Sequence, residues 1–117
     1  MVENIALIKE VNFLMPTKKA QAIAWEYLKR LGLSHIGNYR INQCSAIEIF
    51  YVMFIRALMT KEKTIIIKTP YAILESLREI KFIFNNIEMI NDNKNILILD
   101  TLNNQIHYEG CSCNIVK

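Results

Sequence analysis

Apolar positions follow a helical spacing in two parts of this chain and crowd into short β-branched runs in two others. Ala20, Ile23, Ala24, Tyr27, Leu28 and Leu31 recur at three- and four-residue intervals, which places them on one face of a helix. Pro16-Thr17 opens that helix with Thr17 as its candidate cap. Gly32 follows Lys29 and Arg30 where a C-terminal cap belongs. A further helix is predicted over 45–59. Ser45-Ala46-Ile47-Glu48 has the capping-box pattern, with serine at the N-cap and glutamate at the third helical position. The residues after it are apolar almost all round, through Ile49, Phe50, Val52, Met53, Phe54, Ile55, Leu58 and Met59, so this helix is expected at the centre of the molecule. Residues 1–15 mix apolar and polar groups without a clear period and read as an irregular or short helical lead-in.

Beyond residue 60 the pattern changes. Thr64-Ile65-Ile66-Ile67, set between Lys63 and Pro70, reads as a buried parallel strand. A helix is predicted over 71–84, with Ile73, Leu74, Leu77, Ile80 and Phe84 on one face. Asn85-Asn86 and Asn91-Asp92-Asn93 punctuate the stretch between that helix and the next apolar run. A second apolar strand spans 95–99, and a third is expected over 105–109, ending at Gly110. A strand, a helix and a strand in that order predict a right-handed βαβ crossover. The fold class is therefore α/β: a mainly helical part over 1–62, followed by a small parallel βαβ sheet over 63–117, in a single domain of 117 residues.

Composition sharpens this picture. Apolar residues make up 52% of the chain, more than a small monomer needs, which points to an interface. The net charge is +3, but Lys18, Lys19, Lys61, Lys63 and Lys68 are dispersed and form no basic run, which argues against nucleic-acid binding. The longest apolar run, 49–55, is far short of the ~20 residues of a bilayer span. Glu3, Lys9 and Glu10 interrupt the first apolar stretch, unlike a signal peptide. The expectation is a cytoplasmic chain, or one peripheral at the inner face of the membrane, with no direct membrane insertion. Three cysteines, Cys44, Cys111 and Cys113, suit free thiols in a reducing compartment. The Cys111-x-Cys113 pair has only His107 nearby, too few ligands for a metal site.

The order of these segments resembles the second half of an ABC-transporter ATP-binding domain, of the lipoprotein-release and cell-division type. Glu3-Asn4-Ile5-Ala6-Leu7 is similar to the E-N-V-A-L start of that family's helical subdomain. Ala24, Leu28, Leu31 and Gly32-Leu33 resemble its A-x-x-x-L-x-x-V-G-L segment, and Arg56-Ala57-Leu58 resembles the R-A-L after its signature helix. In that register Cys44-Ser45-Ala46-Ile47-Glu48 falls on the L-S-G-G-Q/E signature. Ile65-Ile66-Ile67-Lys68-Thr69-Pro70 falls on the Walker B strand with its D-E-P, and Ala72-Ile73-Leu74-Glu75 on the D-loop. Residues 95–101 fall on the strand that leads to the switch histidine, and Tyr108-Glu109-Gly110 on the end of the last core strand. The resemblance spans almost the whole chain, with spacings kept from Cys44 to Glu75.

The departures govern what the resemblance implies. No G-x-x-x-x-G-K-S/T phosphate loop is present. Lys68 stands at the magnesium-supporting aspartate, Thr69 at the catalytic glutamate and Thr101 at the switch histidine. A lysine repels the metal, and a threonine is no general base at neutral pH. Ile47 replaces the signature's second glycine and obstructs close approach of a γ-phosphate to the helix start.

The resemblance therefore implies a P-loop NTPase-related chain in the setting of transport that is not an enzyme. It has no catalytic residue, and a vestigial cofactor-binding set in Ser45, Ala46 and Glu48. No cofactor is expected for the chain alone, and ATP would enter only through a partner. The expected partners are a second copy, an ABC permease or an intact ATPase, with a signature-like surface lent to a partner's ATP site as the alternative. Against this stand plain structural readings. Ser45 and Glu48 are accounted for as a helix cap, Lys68 as a solvated strand-end lysine, and Trp25 as core or interface packing. His35 and His107 read as isolated surface or satisfied histidines.

Overall fold

A computed structural model describes residues 1–68 and 80–100. Four helices and two strands come in the order α1 (Val2–Phe13), α2 (Thr17–Arg30), α3 (Ala46–Leu58), β1 (Thr64–Lys68), α4 (Ile80–Ile90) and β2 (Asn95–Leu99). The mixed α/β class stands. The face assigned to Ile73, Leu74 and Leu77, the strand at 105–109, and Cys111, Cys113 and His107 all lie outside the described residues.

Of the two readings of the N-terminal lead-in the helical one holds, and α1 runs through 12 residues. Val2, Ile5 and Ala6 are buried at helical spacing, while Leu7, Val11 and Phe13 stay exposed on other sides of α1. With apolar groups on both faces no period emerges, which is why the pattern conceals the helix. Glu3 in the first turn suits the positive end of the helix dipole. At the other end Leu14 takes a left-handed conformation, φ 51°.

Pro16 occupies the N-cap of α2 and Thr17 is its first helical residue, with no side-chain cap bond, so the expected Thr17 cap is corrected by one position. Pro16 is extended, φ −57° and ψ 140°, and carries no side-chain acceptor for the first N–H groups of the helix. Ala20, Ala24 and Leu28 are fully buried; the two alanines let α1 lie close against α2. The C-terminus closes as a Schellman motif. The Gly32 N–H donates to Lys29 O at 3.0 Å and the Leu33 N–H to Leu28 O at 2.7 Å, with Gly32 at φ +71°. Gly32→Ala is expected to lower stability by about 1 kcal/mol, because an L-residue is forced into the left-handed region. Chemical denaturation at constant m-value would measure it.

Helix α3 supplies the middle of the core through Phe50, Val52, Phe54, Ile55 and Leu58. Strands β1 and β2 are parallel, paired from Thr64 with Asn95 to Lys68 with Leu99. Ile65 and Ile67 turn inward and Ile96 and Ile98 pack on the same core, whereas Ile66, Leu97 and Leu99 are exposed. The strand is thus buried on one face only, not on both as its β-branched run suggests.

Helix α4 continues beyond Phe84 to Ile90, so Asn85 and Asn86 lie inside a helix and do not end one. Ile83, Ile87 and Ile90 are its buried face, and Asn86 Nδ2 donates to Tyr51 Oη at 3.0 Å, tying α4 to α3. The turn after α4 does fall at Asn91-Asp92-Asn93. Asn91 bonds both backbone groups of Lys94 (Oδ1 from its N–H at 3.0 Å, Nδ2 to its O at 2.8 Å), and Asn93 sits at φ 64°. The Lys94 ammonium donates to Thr60 O at 2.9 Å and also to Glu62 O. The Asn95 N–H reaches Lys63 O at 2.8 Å. These bonds bind the two strand-entry loops together and set the register of β1 against β2.

Candidate functional site at the start of the third helix

Ser45, Ala46 and Glu48 lie together at the first turn of α3, and their geometry is that of a self-contained cap. Ser45 is extended, φ −73° and ψ 166°, as an N-cap requires. Its Oγ accepts from the Glu48 N–H at 3.3 Å, and Glu48 Oε1 accepts from the Ser45 N–H at 2.8 Å. Ala46 and Ile47 are half-buried, and Ile47 packs against the core cluster.

The second carboxylate oxygen has a partner that sequence reasoning misses. Glu48 Oε2 lies 2.9 Å from His35 Nε2, and the Tyr39 ring meets the imidazole edge-on at 6.0 Å. His35 is thus a surface histidine satisfied by Glu48, as one of the plain readings has it, though its partner is not legible in the sequence. It sits in the short 3-10 turn Ser34–Ile36, thirteen positions before Glu48, a separation without a periodic signal. The Ser45 amide, foremost, and then His35 hold the Glu48 carboxyl below its ordinary value, against the opposing effect of burial.

This arrangement has a chemical consequence. The start of α3, where a phosphate would meet free amides and the positive end of the dipole, already holds a carboxylate. A phosphate there would face like charge. Cys44, just before the cap, is half-buried; its Sγ donates to Arg40 O at 3.5 Å, and burial and then Glu48 push the thiol up. That favours the thiol over a reactive thiolate.

Lys68 is exposed at the end of β1, beside Leu99, while Thr69, Glu75 and Thr101 fall outside the described residues. Among the described residues no group of three or more His, Cys, Asp or Glu side chains could hold a metal.

Two polar links between α2 and the end of α4 are also invisible in the sequence. Arg30 Nη2 donates to Met89 O at 3.1 Å, so a cation sits at the negative end of α4. The Tyr27 hydroxyl donates to the Asp92 carboxylate, and burial followed by that partner pushes the phenol up to about 12.

No family model, curated protein or solved structure matches this chain.

Ser45→Ala is expected to destabilise the protein by about 1 kcal/mol. The pH dependence separates the carboxylate from the hydroxyl. A carboxyl held low in the folded state contributes stability that is complete above about pH 4.5 and is lost as pH falls through the lowered value. Glu48→Gln should therefore flatten the acid limb of the stability profile relative to the parent chain, while Ser45→Ala keeps most of it, through the backbone amide of residue 45 and then His35. Thermal melts between acid and neutral pH read both.

Proposed function

We propose that this chain is a non-catalytic relative of ABC-transporter ATP-binding domains that works by association. A second copy, a permease or an intact ATPase subunit are the partners that this reading names. The observation that carries the associative part is the half-covered sheet. Parallel strands are ordinarily buried on both faces, yet Ile66, Leu97 and Leu99 are exposed side by side on β1 and β2. A two-stranded parallel pair with an open apolar face gains stability when another surface covers it. The sequence register from Cys44 to Glu75 is what supports the ABC relationship. Lys68 at the end of β1, where that register has the magnesium-supporting aspartate, supports a chain that does not turn over ATP.

The accessory reading, in which the start of α3 completes a partner's ATP site, is disfavoured by the half-buried Ile47 in its first turn. No helix among the described residues is long and apolar enough to cross a membrane.

Calorimetry with magnesium and ATP, combined with light scattering for mass, tests the reading. The expected result is no nucleotide heat and a defined oligomer that Leu97→Lys dissociates. Micromolar ATP binding, or a monomer at every concentration and with every candidate partner subunit, would overturn it.

A further inference from the structure

The end of α1 carries an apolar stripe as well. Leu7, Val11 and Leu14 fall at i, i+4 and i+7 and are 50, 65 and 88% exposed. Phe13, beside them, is 41% exposed. Such a stripe on a helix end is costly to leave in water, and Leu14 adds to that cost by adopting φ 51° without being glycine or asparagine.

The charges around the stripe indicate what it meets. Lys9 Nζ sits 4.2 Å and Lys61 Nζ 5.1 Å from the centre of the Phe13 ring, so two ammonium groups bracket one exposed aromatic. Lys18 and Lys19, both exposed, begin α2 directly after the tip. Glu10 on α1, Glu62 in the loop before β1, and Asp92, which with Glu62 acts on Lys94, are acidic groups near this end. Lys94 stands close enough to Lys9 for its ammonium to be pushed down, by burial first and then by Lys9, and it is already held by the carbonyls of Thr60 and Glu62. The tip is thus an apolar point within a basic collar.

We propose that this tip docks on an anionic lipid surface, with Leu14, Val11 and Phe13 entering the headgroup boundary and Lys9, Lys18, Lys19 and Lys61 meeting the anionic headgroups. Apolar insertion and electrostatic attraction act together in this kind of contact, because either alone gives only marginal binding. A second copy of the chain is a poorer occupant. A twofold contact through the tip would bring two copies of the same lysine-bearing patch together, and like charges brought together in an interface are costly. The proposal does not depend on the ABC relationship.

Co-sedimentation with phosphatidylcholine vesicles, with and without phosphatidylglycerol, tests it at low and high salt. Leu14→Asn is the decisive variant. Asparagine tolerates the left-handed conformation better than leucine, so the fold is kept or stabilised while the apolar anchor is lost. The expected result is binding to anionic vesicles only, weakened by salt. Leu14→Asn should weaken it on the order of tenfold, and Lys9→Gln and Lys61→Gln about fivefold each. The Leu14→Asn thermal melt should match or exceed that of the parent chain. No binding to anionic vesicles, or binding that Leu14→Asn and both lysine variants leave unchanged, would overturn the proposal. So would loss of self-association in Leu14→Asn without any vesicle binding, which would assign the tip to a protein contact.

Discussion

Gly37→Ala is expected to lower the melting temperature by about 10 °C, corresponding to about 3 kcal/mol for a chain of this size. The cause is packing and not backbone freedom. Gly37 has φ −53° and ψ −38°, a right-handed conformation that alanine adopts without strain. A Cβ at this position, however, would lie 2.0 Å from Cη2 and 2.1 Å from Cζ3 of Trp25. The indole therefore lies directly on the glycine. The ring must swing away from the core it packs against, or the loop that carries Gly37 must shift. That loop is anchored, because Gly37 O accepts the Val2 N–H at 2.9 Å and joins the loop to α1. A red shift of the fluorescence of Trp25, the chain's single tryptophan, would report the first route. The double variant with Trp25→Leu supplies the control. With the indole gone the three ring atoms nearest the added Cβ are removed, so Gly37→Ala should cost much less in that background. An equal cost in both backgrounds would mean that the ring contact is not the reason for the glycine.

The same contact shows where local patterns stop being informative. Trp25 belongs to α2 and Gly37 to the loop after it, and nothing in either residue's neighbours announces that one lies on the other. Signals confined to a few consecutive residues are legible. The capping box at Ser45 and Glu48 forms as its four-residue pattern indicates, and Gly32 ends α2 after its basic turn. Parallel pairing of 64–68 with 95–99 is implied by two short apolar runs with a helix between them. Features that depend on which face meets the core are not legible. Helix α1 exposes apolar groups on one side and buries them on another, so its period vanishes. Ile66 looks like its neighbours Ile65 and Ile67 and yet lies on the open face.

The candidate site divides along the same line. Its residues share one local motif, and that motif is sufficient for a cap. What changes its chemistry comes from elsewhere: His35, brought from a separate turn to the free oxygen of Glu48. Arg30 and Tyr27, which hold the end of α4, are likewise 59 and 65 positions from their partners. Polar bonds over such separations leave no periodic trace. Lys68 keeps its expected place at a strand end, exposed to solvent.

Ile87→Ala is expected to cost about 3 kcal/mol, within the range for truncating a fully enclosed isoleucine, and to lower the melting temperature by about 10 °C. Ile87 is 1% exposed and lies between Ile83 and Ile90 on the buried face of α4, whereas Phe82 on the same helix is 67% exposed. Phe82→Ala should change stability by no more than about 0.5 kcal/mol, although it removes the larger side chain. The pair discriminates between two accounts of this region. If Asn85-Asn86 ended the helix, Ile87 would lie in a loop, its truncation would be mild, and either asparagine would hold a turn. Within α4, Asn85 is an exposed helix-interior residue, so Asn85→Ala should raise stability by a few tenths of a kcal/mol through helix propensity alone. A neutral Ile87→Ala together with a destabilising Asn85→Ala would sink the extended helix. It would also remove the link from Asn86 to Tyr51, since that bond requires α4 to continue across α3 at this point. A large loss at Ile87, little change at Phe82 and a small gain at Asn85 would place the isoleucine face of α4 in the core beside α3, leaving Ile66, Leu97 and Leu99 as an apolar surface still open to a partner.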